Sequence, residues 1–182
     1  MSLASRVAAG LAAVVVGLAL PGCMTLSSGG KGAPGETFIG RLSVRVERDG
    51  ATPARSLSAA FELRGDPNAG RLDLSTPLGS VLAQARWSPA RVVLATPRGE
   101  TDFADLDALT REVLGESLPI AALFDWLRGR PWSGATSTPS APGSGFEQLG
   151  WAVDLARFDE ALVAARRESP PSVTVRIKLD RP

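Results

Sequence analysis

The stretch FIGRLSVRV, residues 38–46, alternates apolar and polar side chains with a period of two. Such alternation is typical of a β-strand that has one buried face and one wet face. Strands of this kind favour an antiparallel sheet, because both faces of a parallel sheet are usually covered by helices. The apolar face carries Phe38, Leu42, Val44 and Val46, with Gly40 between them, and the polar face carries Arg41, Ser43 and Arg45.

Similar segments recur along most of the chain and predict further strands. These segments are residues 57–64, 71–75, 80–87, 91–96, 149–156 and 173–180. In residues 149–156 the alternation places Leu149 on the apolar face together with Trp151. The segments between neighbouring predicted strands carry the glycine, proline, asparagine and aspartate that tight turns require. We therefore expect hairpins that join successive strands of one antiparallel sheet.

The middle of the chain changes to a helical period. Leu106, Leu109 and Val113 have the i, i+3, i+7 spacing of one helical face. Gly115 is expected to end that helix, because glycine readily adopts the left-handed backbone conformation. A second helix is predicted to begin at Pro119 and to end before Gly129. Its apolar stripe is formed by Ile120, Leu123, Phe124 and Leu127.

The order of these elements, strands followed by a helix pair and then more strands, indicates an α+β fold. A sheet with one apolar face can bury that face by curving around two short helices. We therefore expect an incomplete, open antiparallel β-barrel wrapped around the helices, in one domain over residues 37–182. Residues 136–145, with the sequence TSTPSAPGSG, are predicted to be a loop.

The N-terminal segment predicts export and lipidation. Residues 7–20 are an uncharged, mostly apolar run that follows Arg6, and the run is shorter than the roughly 20 residues of a membrane-spanning helix. LPGC, residues 20–23, resembles the bacterial lipobox, which implies cleavage after residue 22 and a lipid on Cys23. The alternatives are an ordinary signal peptide with an unrelated thiol, or an uncleaved anchor. Residues 23–36 are then a lipidated, flexible tether.

Composition excludes several functional classes. The chain has 20 basic and 19 acidic residues without a block of like charge, so nucleic acid is a poor candidate partner. Histidine is absent from the sequence and there is a single cysteine, which removes the commonest catalytic bases and metal ligands. The nucleophile motif Gly-x-Ser-x-Gly of many hydrolases is also missing. We therefore expect no enzymatic activity, no cofactor and no metal.

Four segments resemble the LolB family of outer-membrane lipoprotein receptors. They are FIGRLSVRV (38–46), LDLSTPLGS (72–80), LPIAALFDWLRGRP (118–131) and FEQLGWAVDL (146–155). The resemblance implies a lipid-anchored receptor that accepts the acyl chains of cargo lipoproteins from the periplasmic carrier LolA. The receptor then releases them into the inner leaflet of the outer membrane, and the step uses no nucleotide or cofactor. In many Gram-negative bacteria an aspartate after the lipidated cysteine retains a lipoprotein in the inner membrane, and by that resemblance Met24 implies the outer membrane. We expect the domain to face the periplasm and to be a monomer. Residues 157–172 match the family poorly.

The resemblance also implies an apolar interior that holds acyl chains. Burying hydrocarbon is favourable without specific polar contacts. The candidate cavity residues are Leu42, Val44, Phe61, Leu63, Leu74, Leu123, Trp126, Leu127, Trp151 and Val153. The alternative is a filled β core in a structural or scaffolding envelope lipoprotein, because periodicity identifies the apolar face and does not show whether the space beside it is empty.

Two further features are candidate contact sites. In the turn at residues 76–80, Pro77 suits the second position and Gly79 the fourth, which places Leu78 at the tip. The resemblance implies that this leucine inserts cargo into the membrane, and the alternative is that it folds back onto the sheet. Arg41 is either a solvated residue of the strand face or a contact at the cavity mouth or with the carrier.

Overall fold

Eleven antiparallel strands form a single sheet in the computed structural model, which describes residues 35–50 and 53–180. The strands are β1 (Glu36–Val46), β2 (Arg55–Gly65), β3 (Gly70–Ser75), β4 (Val81–Ser88), β5 (Arg91–Thr96), β6 (Gly99–Phe103), β7 (Ser137–Pro139), β8 (Gly145–Gln148), β9 (Trp151–Asp154), β10 (Leu162–Arg167) and β11 (Val173–Leu179). Their order is β6-β5-β4-β3-β2-β1-β11-β10-β9-β8-β7, so β6 and β7 are the unjoined edges. The predicted open antiparallel barrel is confirmed.

The N-terminal predictions concern a part of the chain outside the described residues. Cys23, the predicted signal peptide at 1–22 and nearly all of the predicted tether belong to that part. Glu36, predicted as the last tether residue, is the first residue of β1.

Strand β1 lies at the centre of the sheet, between β2 and β11. Val44 and Val46 are buried on its inner face and Arg41 and Arg45 are exposed, as the alternation predicts. Gly40 is required here, because an added Cβ would collide with the carbonyl oxygen of Lys178 on β11. The close pairing of these two strands joins the N-terminal half of the sheet to the C-terminal half.

Two helices cover the inner face of the sheet. Helix α1 (Leu106–Leu114) begins after Asp105, whose side chain accepts a hydrogen bond of 2.7 Å from the backbone N–H of Ala108. It ends at Gly115, which has a φ of 85°, as predicted. Helix α2 (Ile120–Trp126) begins one residue later than predicted, because Pro119 is its N-cap.

The buried stripe of α1 differs from the prediction. Leu109, Thr110 and Leu114 are buried, whereas Val113 is 39% exposed. The spacing i, i+3, i+7 correctly identified a helix, but the helix is rotated so that Val113 stands at the edge of its contact with the sheet. Leu106 is partly buried against the core.

The segment at 149–156 is not one strand. Leu149 and Gly150, with φ values of 55° and 77°, form the turn between β8 and β9, and Gln148 pairs with Trp151. Two consecutive residues with positive φ are the mark of a two-residue hairpin turn. Leu149 is 46% exposed, so its predicted position on a buried face is wrong. Alternation continued by chance across the turn.

Strands β6, β7, β8 and β10 were absent from the prediction, and Gly145, the last residue of the predicted loop, is the first residue of β8. Strand β6 forms an edge of the sheet and is largely exposed, so it has no apolar face to signal it. Strand β7 lies within the predicted loop at 136–145 and is fully exposed. Strand β10 pairs with β9 and β11 and buries Val163 and Ala165, which completes the C-terminal end of the inner face.

Candidate functional site

An apolar cavity lies between the inner face of the sheet and the two helices. Its volume is about 90 Å³, several times the roughly 10–15 Å³ that one water molecule needs. A second cavity of about 30 Å³ lies next to it. The two share walls formed by Leu118, Ile120, Leu123, Val175 and Ile177. The interior is therefore empty in the region where β1, β2 and β11 face the helices.

Thr110 is the only polar residue among the described residues that line the larger cavity. Its hydroxyl donates a hydrogen bond of 3.2 Å to the carbonyl oxygen of Asp107 and accepts one of 3.1 Å from the N–H of Leu118. The hydroxyl thus both donates and accepts a hydrogen bond within the protein, so it does not need a water molecule as a partner. An apolar cavity without free polar groups remains dry, which suits it to hydrocarbon.

The predicted cavity residues divide into three groups. The larger cavity is lined by Leu42, Val44, Phe61, Leu63, Leu74 and Leu123. Trp126 and Trp151 line the smaller cavity, where their rings lie 6.2 Å apart. Leu127 and Val153 line neither of these two cavities and pack in the core, each 2% exposed.

Several wall residues were not among the predicted cavity residues. Leu57, Val175 and Ile177 lie on strand faces that the alternation marks as apolar. The alternation therefore identified them as inward-facing but did not distinguish residues that line a cavity from residues of the filled core. Leu72, Ala83, Ala85 and Leu94 come from β3, β4 and β5, and Leu109, Thr110, Val113, Leu114, Leu118 and Ile120 come from the helices and their connection. Only the packing of the helices on the sheet brings these together.

The helices and the segment between them, residues 106–126, are called the lid. Val113 lines the larger cavity and is 39% exposed, so it stands at the cavity mouth. Two polar contacts fasten α1 and the connection after it to the sheet. Arg167 Nη2 on β10 lies 2.6 Å from Glu116 Oε2, and Arg55 Nη1 on β2 donates a bond of 3.3 Å to the Glu112 carbonyl. Few polar contacts of this kind need to break for the lid to move.

Gln148 fixes the C-terminal end of the lid and was not singled out from the sequence. It is 2% exposed. Its Oε1 accepts bonds of 2.9 Å from the indole N–H of Trp126 and from the N–H of Trp132. Its Nε2 donates to the carbonyl oxygens of Trp132 and Ala135 at 2.7 and 2.8 Å. The sequence did contain a signal for this residue: a glutamine two residues after Phe146 shares the same face of a strand with it.

The loop at residues 76–80 presents Leu78 to solvent. Gly79 donates a backbone hydrogen bond of 2.9 Å to the Thr76 carbonyl, and Thr76 donates one of 2.8 Å to the Ser80 carbonyl. The Ser80 N–H also donates to Thr76 Oγ1 at 3.1 Å. These bonds hold a closed turn in which Leu78 is 95% exposed. The predicted position at the tip is confirmed, and the alternative in which Leu78 folds back onto the sheet is wrong.

Arg41 lies on the outer face of β1, opposite Lys178 of β11. It is exposed and is not among the residues that line the apolar cavities. The structure therefore places it away from the cavity walls, and a contact with the carrier stays a prediction.

The electrostatics of the cavities are simple, since no ionisable side chain lines either one. Resolved shifts belong instead to outward-facing pairs: the hydrogen bond from Arg91 lowers the pKa of Asp102, and that from Arg157 lowers the pKa of Glu160. Among the described residues, no group of three or more potential ligands could hold a metal ion. In the same part of the chain, no helix is long and apolar enough to span a membrane.

Comparison with known proteins identifies the family. Residues 37–181 match the family model described as outer membrane lipoprotein LolB. The chain belongs to the LolB family. A LolB from Bordetella pertussis is 35% identical over 176 residues, which cover 90% of this chain and 87% of the relative. LolB proteins from Bordetella petrii and Cupriavidus pinatubonensis are 32% and 33% identical, covering 96% and 84% of this chain and 91% and 74% of each relative. All three are named outer-membrane lipoproteins.

The LolB match spans the whole described sheet from Thr37 onward, including both helices. It therefore includes residues 157–172, the segment with the weakest resemblance, which contains β10 and the connection to β11. The cavities, the lid and the Leu78 loop all lie within the matched part of the chain.

Proposed function

We propose that this LolB-family protein is an outer-membrane receptor that accepts lipoproteins from the periplasmic carrier LolA and inserts them into the membrane. The acyl chains of the cargo enter the apolar cavity under the lid. The observation that carries this proposal is the dry space of about 90 Å³, lined by aliphatic side chains, the ring of Phe61 and one internally bonded hydroxyl. Such a site suits a ligand that has no polar groups along its length.

The energetics of the proposed transfer need no covalent step. Each buried CH₂ group contributes about 0.8 kcal/mol, so a difference of two buried groups between carrier and receptor changes the relative affinity roughly tenfold. A receptor that buries slightly more of each chain than the carrier does receives the cargo spontaneously. We therefore propose a non-enzymatic receptor without nucleotide or cofactor.

Binding of a full acyl chain requires the lid to move. The free space holds only part of such a chain, so the lid or its side chains must shift outward as the cargo enters. Val113 at the mouth and the pair formed by Arg167 and Glu116 support this route, because exposed or sparsely fastened elements open at low cost. Leu123 of α2 is one of the five residues that line both cavities, so an outward shift of α2 would enlarge the space between them.

Delivery is assigned to the Leu78 loop. Leu78, Val81 and Leu82 are 95%, 61% and 36% exposed, which makes the end of β3 and the start of β4 an apolar projection. Transfer of one leucine side chain into an apolar phase contributes about 1.5–3 kcal/mol. A domain tethered by lipid at Cys23 would keep this projection close to the inner leaflet of the outer membrane, on the periplasmic side, as a monomer.

A transfer assay tests the proposal. LolA loaded with a radiolabelled lipoprotein is mixed with outer-membrane vesicles that carry the full-length protein, and the label in the vesicles is measured. We expect transfer that depends on the protein and saturates with its amount. The competing function, a scaffolding lipoprotein with a filled core, predicts no transfer and no saturable uptake of a fluorescent fatty acid. Both results together would exclude the receptor function.

A further inference from the structure

The outer face of the sheet carries a hollow of about 340 Å³ beside the Leu78 loop. It crosses four adjacent strands, β2, β1, β11 and β10. Small side chains at Ser43, Ser58 and Ala60 leave this space open. The term basic hollow is used for the region lined by Arg41, Ser43, Ser58, Pro77, Arg176 and Lys178.

Three cations are concentrated in the basic hollow. Arg41 lies directly opposite Lys178 in the pairing of β1 with β11, and Arg176 lies opposite Ser43 in the next outward-facing pair. Like charges placed opposite each other destabilise a sheet. Lys178 donates a hydrogen bond to the backbone carbonyl of Glu160, which orders its ammonium group. The pKa of the Glu160 carboxyl is lowered chiefly by the hydrogen bond from Arg157 and also by the charge of Lys178, so Lys178 is partly compensated. The strand pairing therefore holds positive charge together at a cost in stability.

Arg41 and Arg176 have no carboxylate partner. In the described part of the chain, neither forms an ion pair within 4.0 Å. Other outward-facing arginines of the sheet are paired: Arg64 with Glu62, Arg71 with Asp73, Arg86 with Glu100 and Arg91 with Asp102. Positive charge is thus paired at these four positions and left without an ion pair at Arg41 and Arg176 in the basic hollow.

Pro77 connects the basic hollow to the loop. It lines the hollow and is followed directly by Leu78, the most exposed large apolar residue described, at 95%. An apolar projection next to unneutralised cations is the combination that binds the surface of an anionic membrane, because the projection enters the interface while the cations meet phosphates. An acidic surface of a partner protein could pair with the cations, but it would have no hydrocarbon interface for the apolar projection to enter.

We propose that the basic hollow binds the phosphate groups of lipid headgroups while Leu78 enters the bilayer interface. This inference rests on the proposed delivery role of the loop. The guanidinium groups of Arg41 and Arg176 present paired N–H donors that match phosphate oxygens, and the hydroxyls of Ser43 and Ser58 are further donors. Binding would orient the domain with its loop, and not another part of its surface, against the membrane.

The test measures how closely the basic hollow approaches the headgroups. The full-length lipidated protein is placed in vesicles of phosphatidylcholine, with or without phosphatidylglycerol. A fluorophore is attached at Ile39→Cys, an exposed outer-face position two residues from Arg41 and outside the hollow. Quenching by nitroxide-labelled headgroups reports docking. We expect more quenching with phosphatidylglycerol, and less of it at high salt.

The decisive variant is Arg41→Gln/Arg176→Gln. Each arginine near an anionic membrane surface contributes about 1 kcal/mol, or roughly 5-fold, so the ratio of docked to undocked domain should fall roughly 30-fold. The matched control is Arg86→Gln/Arg91→Gln on β4 and β5, which removes the same charge from paired positions and should dock like the parent. Equal docking of the decisive variant and the parent would overturn the proposal.

A second fluorophore, at Ser80→Cys in the loop, separates this inference from the function on which it rests. Quenching of that probe by lipids labelled in the acyl chains reports loop insertion. If the loop inserts but the two arginines have no effect on docking, the delivery role stands and the basic hollow is not a headgroup site. If the Ile39 probe approaches anionic headgroups while the loop stays in water, the hollow stands and the delivery role falls. If the arginines affect only the transfer from LolA, the hollow contacts the carrier and the membrane assignment is overturned.

Discussion

Replacing Ala85 with leucine should weaken acyl-chain binding without unfolding the protein. Ala85 on β4 is 6% exposed and lines the larger cavity. Its cross-strand partners Leu72 and Leu94 line the same cavity. Ala85→Leu therefore adds three carbon atoms to a wall that faces empty space, and ligand carbons lose that space.

The magnitude follows from the hydrocarbon that the variant displaces. Three CH₂ groups at about 0.8 kcal/mol each amount to about 2.4 kcal/mol, or roughly 50-fold weaker binding. The free energy of unfolding should change by less than about 1.5 kcal/mol, because the added atoms occupy an existing void and do not compress a filled core.

The assay is a titration with a fluorescent fatty acid, accompanied by urea unfolding. The matched control is Ala152→Leu, at an exposed position on the outer face of β9, which should bind like the parent. A folded Ala85→Leu protein that binds as tightly as the parent would refute the cavity as the binding site. If Ala85→Leu unfolds, Ala83→Leu, in the same wall and half-buried, provides the second test, with the same expected loss.

Three other changes test the loop, the buried amide and the lid. Leu78→Glu should leave fatty-acid uptake unchanged and should change the free energy of unfolding by less than about 0.5 kcal/mol, but it should block delivery to vesicles in the transfer assay. The control Leu149→Glu, at another exposed turn, should deliver normally. Normal delivery by Leu78→Glu would remove the loop from the mechanism. Gln148→Leu removes four hydrogen bonds and should lower the free energy of unfolding, measured in urea, by about 4 kcal/mol. The control Gln84→Leu removes one hydrogen bond and should lower the free energy of unfolding by less than about 1.5 kcal/mol. Glu116→Gln should cost about 1 kcal/mol of stability and accelerate fatty-acid uptake in stopped-flow mixing, and an unchanged rate would show that this contact does not restrain the lid.

The strands that the sequence predicted well are those with a strong contrast between two faces. In β1, β2 and β11 the inward-facing residues are mostly buried, while the alternate residues are exposed or half-buried. The apolar and polar residues therefore alternate in the sequence with a period of two. Strand β6 lacks this contrast, because an edge strand with mostly exposed side chains forms by pairing with β5. The β8–β9 turn was missed because Leu149 is apolar and its positive φ is not visible in the alternation.

The candidate site was predictable to a similar extent. Leu78 was placed correctly because the Pro-Leu-Gly turn is a local structure, closed by hydrogen bonds among neighbouring residues. The inward-facing residues of β1 and β2 were also placed correctly. Leu127 and Val153 were not distinguished from wall residues, because a core residue and a wall residue have the same apolar character and the same strand or helix face.

By itself, the sequence determined the α+β order, the apolar faces of the main strands, the two helices, the exposed turn and the family. These depend on local periodicity, on turn chemistry and on segments that stand in a fixed order. Only the tertiary structure decided that space remains between the sheet and the lid, that Gln148 fastens four groups, and that Arg41 and Arg176 stand together without carboxylates. Empty volume, buried hydrogen bonds and cross-strand charge arise between residues far apart in the chain, so their positions depend on how the sheet curves and how the helices pack.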